Sequence, residues 1–206
     1  MRAALSVVAD AAVDWWQHWL PLTLLNLLWV AAWLSVVLGP PVTLAVHAYL
    51  GRLLDHDQMT PAEFARTVRD VFWQGWAWAV AALAPVFALA VALVFYARFP
   101  GPWARAAELS ATLVVLCWLL VQSFALPFLV TQQRRSLRLA YRNAALTLLA
   151  SPLHAAVFAL VVVILAVLSL RFMALTFLVS PVLLAMIATH AVRERLSSFG
   201  LLEAGR

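Results

Sequence analysis

Three histidines and one cluster of an amide with indoles are the side chains here whose type and spacing suit chemistry. Neutral imidazole is the commonest metal ligand, so two of His47, His154 and His190 would ligate a haem or a metal ion if the fold brought them together. Single interfacial histidines satisfied by water or lipid headgroups are the competing reading, and no cofactor is expected. Asn26, Trp29 and Trp33 follow at spacings of three and seven, which puts one amide and two indoles on a single helix face. With Thr43 beyond the break at Gly39, Pro40 and Pro41, they outline a polar pocket for a small molecule. The same face serves helix packing equally, because an amide in lipid needs an interhelical partner, a bond of typically ~0.6 kcal/mol. Gln122 is a second amide in an apolar run, about 10 Å deeper than Asn26 at 1.5 Å per residue, and the two are not an obvious pair.

Other chemistry is missing. No acidic residue occurs between Glu108 and Glu194, nor from Trp15 through Leu54. The apolar runs therefore lack the carboxylate that proton- or sodium-coupled carriers use as a relay. The six glycines form neither a phosphate loop nor a dinucleotide fingerprint, and HExxH and GxSxG are absent. A non-enzymatic protein is expected. The single cysteine, Cys117, permits no intrachain disulfide and reads as a small buried hydrophobe.

The elements that must position these residues follow from composition. Of 206 residues 66% are hydrophobic and 11% charged, and the mean hydropathy is +0.95, outside the range of soluble domains. Several apolar runs approach or exceed the ~20 residues a helix needs to cross a bilayer. Backbone groups in lipid must bond within their own segment, so each run is a helix. The expected fold is one all-α polytopic membrane domain over 1–206, with about five transmembrane helices near 20–38, 76–99, 109–131, 152–170 and 172–192. Pro85, Pro127 and Pro181 fall inside these spans and are expected to kink them. Arg2 followed by "AALSVVADAAVDWW" resembles a signal peptide only briefly, because Asp10 and Asp14 interrupt it, and it reads as retained sequence.

The links are amphipathic. "VTLAVHAYLGRLL" is too short to cross again, and its stripe of Thr43, His47 and Gly51 predicts a helix lying along or dipping into the interface. Thr60, Pro61 and Glu63 then make a capping box, opening a helix with Phe64, Val68, Val71 and Phe72 on one side and Glu63, Arg66, Arg69 and Asp70 on the other. In "QQRRSLRLAYRN", Arg134, Arg135, Arg138 and Arg142 share one arc opposite Leu137, Ala140 and Ala144. Both faces suit anionic lipid or a partner, and the arginines also suit a simple topology signal. All 14 basic residues are arginine, for a net charge of +5, yet no polar domain exists to carry nucleic acid, and none is expected.

With five spans, ten arginines fall on one side: Arg52, Arg66, Arg69, Arg134, Arg135, Arg138, Arg142, Arg193, Arg195 and Arg206. Arg2, Arg98, Arg105 and Arg171 fall on the other, which predicts N-out and C-in with the interfacial helices cytoplasmic. Trp15, Trp16, Trp19, Trp73, Trp76, Trp78 and Trp103 cluster at predicted span ends and read as an aromatic belt.

The first third, "LLNLLWVAAWLSVVLGPPVTLAVHAYLGRLL" followed by "FARTVRDVFW", resembles the YesL family of small bacterial integral membrane proteins. Asn26, Trp29, Gly39, Pro41, Thr43 and Arg52 match its pattern, whereas Pro40 and His47 have no counterpart there. The resemblance implies a multi-pass protein of the cell (inner) membrane, accessory to a carbohydrate transport system of the ABC type and partnered by a transporter subunit. A carrier or binding protein with a pocket at Asn26, Trp29 and Thr43 is the alternative, and a haem-binding membrane protein is a third.

Overall fold

In a computed structural model, residues 2–99, 101–132, 136–150, 152–172 and 179–198 are described. These residues are almost wholly helical: α1 (Arg2–Gln17), α2 (Trp19–Leu34), α3 (Gly39–Leu54), α4 (Pro61–Asp70), α5 (Phe72–Tyr96), α6 (Pro102–Thr131), α7 (Leu137–Ala150), α8 (Pro152–Arg171) and α9 (Ser180–Ser198). By length and composition α5 and α6 can each cross a membrane; α7 and α8 reach that standard only as a pair, bent by 103°.

The expected first span is broken. α2 ends at Leu34, and Ser35 to Leu38 make a tight turn in which the Val37 N–H donates to the Ser35 carbonyl at 2.6 Å across Val36, whose φ is +60°. The Ser35 hydroxyl donates to the Ala32 carbonyl and accepts the Leu38 N–H, closing the end of α2. Pro40 and Pro41 then fill the first turn of α3, where a missing N–H costs nothing.

The prediction for α3 needs correction. Gly39 through His47 are all buried, as is Leu50, and α3 packs against α2, α4, α5, α6 and α9. A helix lying along the interface would keep one face open; this one is the axis of the bundle. Its polar stripe misled because Thr43 and the Gly51 carbonyl are bonded inside the bundle, and hydropathy cannot see partners.

Cross-helix bonds fix the directions. Asn26 reaches Val182 at the start of α9, whereas Arg193 near its end reaches Gly51 and Asp55 at the end of α3. α2 therefore runs opposite to α3 and α9, and the chain returns after the Ser35–Leu38 turn to the end of the bundle it left. α4 lies over the α2–α3 hairpin, with Phe64 against Tyr49 at a centroid distance of 6.4 Å. α5 begins beside the turn, where Gly75 lies on the backbone of Pro40 and Pro41. From there α5 and α6 run antiparallel, and beyond Ala82 no residue of α5 is buried. α6 re-enters the core over Gln122–Leu129, and the Phe124 ring meets Phe158 of α8 edge-on at 5.0 Å.

Candidate functional site

Thr43 is the centre of the predicted pocket. Its hydroxyl accepts the Trp29 Nε1–H at 2.8 Å and the Trp33 Nε1–H at 3.2 Å, and donates to the Gly39 carbonyl at 2.8 Å. A threonine hydroxyl has one donor and two acceptor positions, so its capacity is filled. The Trp33 ring lies flat over Gly39, where a Cβ would stand 2.7 Å from the indole, and only glycine admits that approach. Asn26, fully buried, is directed elsewhere: its Oδ1 accepts the Val182 N–H at 3.1 Å, capping the first turn of α9 from a neighbouring helix. The structure thus unites Trp29, Trp33 and Thr43 in one lock between α2 and α3, with Asn26 in a second that ties α2 to α9.

The basic end of the bundle is a second assembly. The Arg193 guanidinium donates to the Gly51 carbonyl and pairs with Asp55, while Arg52 pairs with Asp57 at 2.6 Å and approaches Glu63 at 3.8 Å. Between them lies a cavity of about 450 Å³, lined also by Thr67 and Thr131. The capping box is formed as expected, with Thr60 N–H to Glu63 at 2.8 Å and Glu63 N–H to Thr60 Oγ1 at 3.3 Å. The Thr60 backbone N–H first, then its hydroxyl, hold the Glu63 carboxyl below its ordinary value, and Arg52 adds to this.

Among the described residues His47 and His190 do not share a metal site. His47 is buried on α3, and its Nδ1 has no partner among the described residues. His190 on α9 stands 2.9 Å from the Asp14 carboxylate of α1. The His154 side chain lies outside the described residues, among which no three His, Cys, Asp or Glu side chains group to hold a metal. The Asp14 contact bears on the predicted orientation. Five spans place Asp14 and His190 on opposite sides of a membrane, yet here they touch.

The two proposed docking faces fare differently. Phe64 is largely buried and packs on Tyr49 of α3, and Phe72 is half-buried beside Trp73. On α7, Ala140 and Ala144 are buried and Leu137 packs on the core, leaving Arg138 and Arg142 exposed and in no ion pair among the described residues. Arg134 and Arg135 lie outside the described residues.

One polar node escaped the sequence reading. Gln122, 7% exposed, accepts from Trp78 Nε1 at 3.0 Å and from the Tyr141 hydroxyl at 3.1 Å, joining α5, α6 and α7, while Trp118 stacks on Tyr141 and donates to the Ala82 carbonyl. Trp76 likewise donates to the Val37 carbonyl. Trp76 and Trp78 are therefore bonded within the protein rather than standing only as belt residues. An amide in an apolar run was the available signal, but its partners come from two other helices. Compared with known proteins, the chain matches no family model, no curated protein and no solved structure.

Proposed function

We propose that this is a non-enzymatic, multi-pass protein of the inner membrane that serves as an accessory to a membrane complex, a transport system by the YesL resemblance, and docks through the arginine face of α7. The supporting observation is that Arg138 and Arg142 stand exposed without an ion-pair partner among the described residues, on a helix whose opposite face is fixed to the core. By contrast Asp55 and Asp57 are paired with arginines, and Glu63 is held in a cap. The filled valence of Thr43 argues against the carrier reading, which needs that hydroxyl for a solute.

Both termini are placed on the cytoplasmic side in this proposal. The contact of Asp14 with His190 and the return of α3 to the end where α2 starts support an even number of crossings. Arg98, Arg105 and Arg171 are then the arginines left opposite, so the positive bias is kept. Cross-linking in native membranes followed by purification in mild detergent tests the docking. A membrane protein is expected with the parent and is lost from an Arg138→Glu, Arg142→Glu variant. Recovery of the same partner by both, or of no partner by the parent, overturns the reading.

A further inference from the structure

We infer that the α2–α3 hairpin is re-entrant: its Ser35–Leu38 turn enters the membrane from the side of Arg52 and Arg193, lodges among lipid acyl chains, and stops short of the far side. The turn is built for a place without water. Each of its N–H groups is bonded within the protein, Ser35 to the Ala31 carbonyl at 3.3 Å, Val36 to Trp33 at 3.0 Å, Val37 to Ser35 at 2.6 Å, and Leu38 to the Ser35 hydroxyl at 3.2 Å. The Val37 carbonyl accepts the Trp76 indole N–H and the Leu38 carbonyl accepts the Val42 N–H, while Pro40 and Pro41 bring no N–H to the start of α3. Backbone at membrane depth must satisfy its polar groups in this internal way. The side chains agree: Leu34 and Val36 are 81% and 62% exposed, Val37 and Leu38 are exposed beside them, and all four are apolar.

The register of the neighbouring helices sets the depth. Glu63 approaches Arg52, Phe64 meets Tyr49 and Gly75 lies on Pro41, so α4 runs along α3 toward the turn. Its outer side carries Arg66, Arg69 and Asp70, all exposed and in no ion pair among the described residues. Exposed, unpaired charges are kept out of hydrocarbon, and the next charged residue along the chain is Arg98. The hydrocarbon around α5 therefore lies between Asp70 and Arg98. Trp76, bonded to the turn, stands about 9 Å along the helix from Asp70 and about 33 Å from Arg98, at 1.5 Å per residue. In a core about 30 Å thick, the turn thus enters by no more than about 9 Å and leaves roughly 20 Å uncrossed. Aromatic residues mark the same two levels, Trp73 at one end of α5 and the contacting rings of Tyr96, Phe99 and Trp103 at the other. Leu24, Leu27 and Leu28 of α2 are exposed behind the turn, so the pair enters at a slant, with α2 against the leaflet and the charged side of α4 in water. The placement holds whichever face is cytoplasmic.

The test is depth by spin labelling of the full chain in phospholipid bilayers. On a Cys117→Ala background, a nitroxide is placed by Leu34→Cys or Val36→Cys at the turn, and by Arg69→Cys or Phe87→Cys as the water and mid-bilayer references. All four positions are exposed, so the fold is retained, and two turn sites keep the test valid if one variant fails. Each label is read for collision with oxygen, which dissolves in lipid, and with a nickel complex, which stays in water. At the turn, oxygen collision should persist and nickel collision should be largely lost, with a ratio between those at the two references. Nickel reaching both turn labels as freely as the label at Arg69 overturns the proposal, because the turn then stands in water on one side or the other. Loss of both reagents overturns it too, since protein rather than lipid then covers the turn. A turn as deep as Phe87 would carry Asp70 into hydrocarbon, and that result also overturns it.

Discussion

At the scale of single residues, the polar side chains of the apolar core act as fasteners, and their valences say how firmly. Thr43 serves three partners with one hydroxyl, so Thr43→Val leaves two indole N–H donors without their acceptor and takes the hydroxyl from the Gly39 carbonyl. The expected loss is about 1–3 kcal/mol, the penalty for stranding a polar group away from water. Thr43→Ser, which keeps the hydroxyl, should recover most of it. Thermal unfolding in detergent separates the two, and equal melting of parent and Thr43→Val would remove the lock from the account. The spacing of Asn26, Trp29 and Trp33 was legible in the sequence as one polar helix face, and that face is real. Which groups it meets was not legible, because Thr43 and Val182 arrive from other helices, one of them 156 positions along the chain. The same limit hid Gln122, whose partners Trp78 and Tyr141 lie on helices before and after its own.

At the scale of elements, the crossing of α5 on α3 depends on Gly75. A Cβ there would stand 2.6 Å from the Pro41 nitrogen and 2.8 Å from the Pro40 carbonyl carbon, and backbone cannot swing aside as a side chain can. Gly75→Ala should therefore force the helices apart at a cost of about 1–3 kcal/mol, the usual range for overpacking. Gly51 is the control: nothing lies within 4 Å of its added Cβ, so Gly51→Ala should gain up to about 1 kcal/mol of helix propensity. Paired melting curves of the two variants should move in opposite directions. α4 carries the pH dependence. The Glu63 carboxyl, held below its ordinary value by Thr60 and Arg52, contributes stability that is present above the unfolded carboxylate range and lost as pH falls through the folded value. Hydrogen exchange at the first turn of α4 should quicken on acidification below about pH 4, the ordinary range of a glutamate. Glu63→Gln should show no such step. This helix was legible from Thr60, Pro61 and Glu63 because a capping box is local. α3 was not, because the difference between an interfacial stripe and a buried one lies wholly in its neighbours.

At the scale of the molecule, helix length and direction together decide how the chain meets the membrane. α2 and α3 have 16 residues each, about 24 Å at 1.5 Å per residue, short of a hydrocarbon core of about 30 Å. α5 and α6, at 25 and 30 residues, exceed it. The short pair turns back at Ser35–Leu38 and the long pair between Tyr96 and Pro102, and α8 with α9 makes a third pair, joined near its far end by a Ser169–Ser180 hydrogen bond of 2.9 Å. A pair returns the chain to its starting side whether it crosses fully or only enters. Three pairs therefore leave the start of α2 and the end of α9 together, where Asp14 meets His190 and Arg193 meets Asp55. Reporter fusions ahead of α2 and after α9 should thus share one compartment, and a reporter placed between α5 and α6, beside Arg98, should report the other. A reporter ahead of α2 on the side opposite to one after α9 would separate Asp14 from His190 by the bilayer. That result would restore the five-span arrangement that the arginine count alone suggests, and it would exclude the paired architecture.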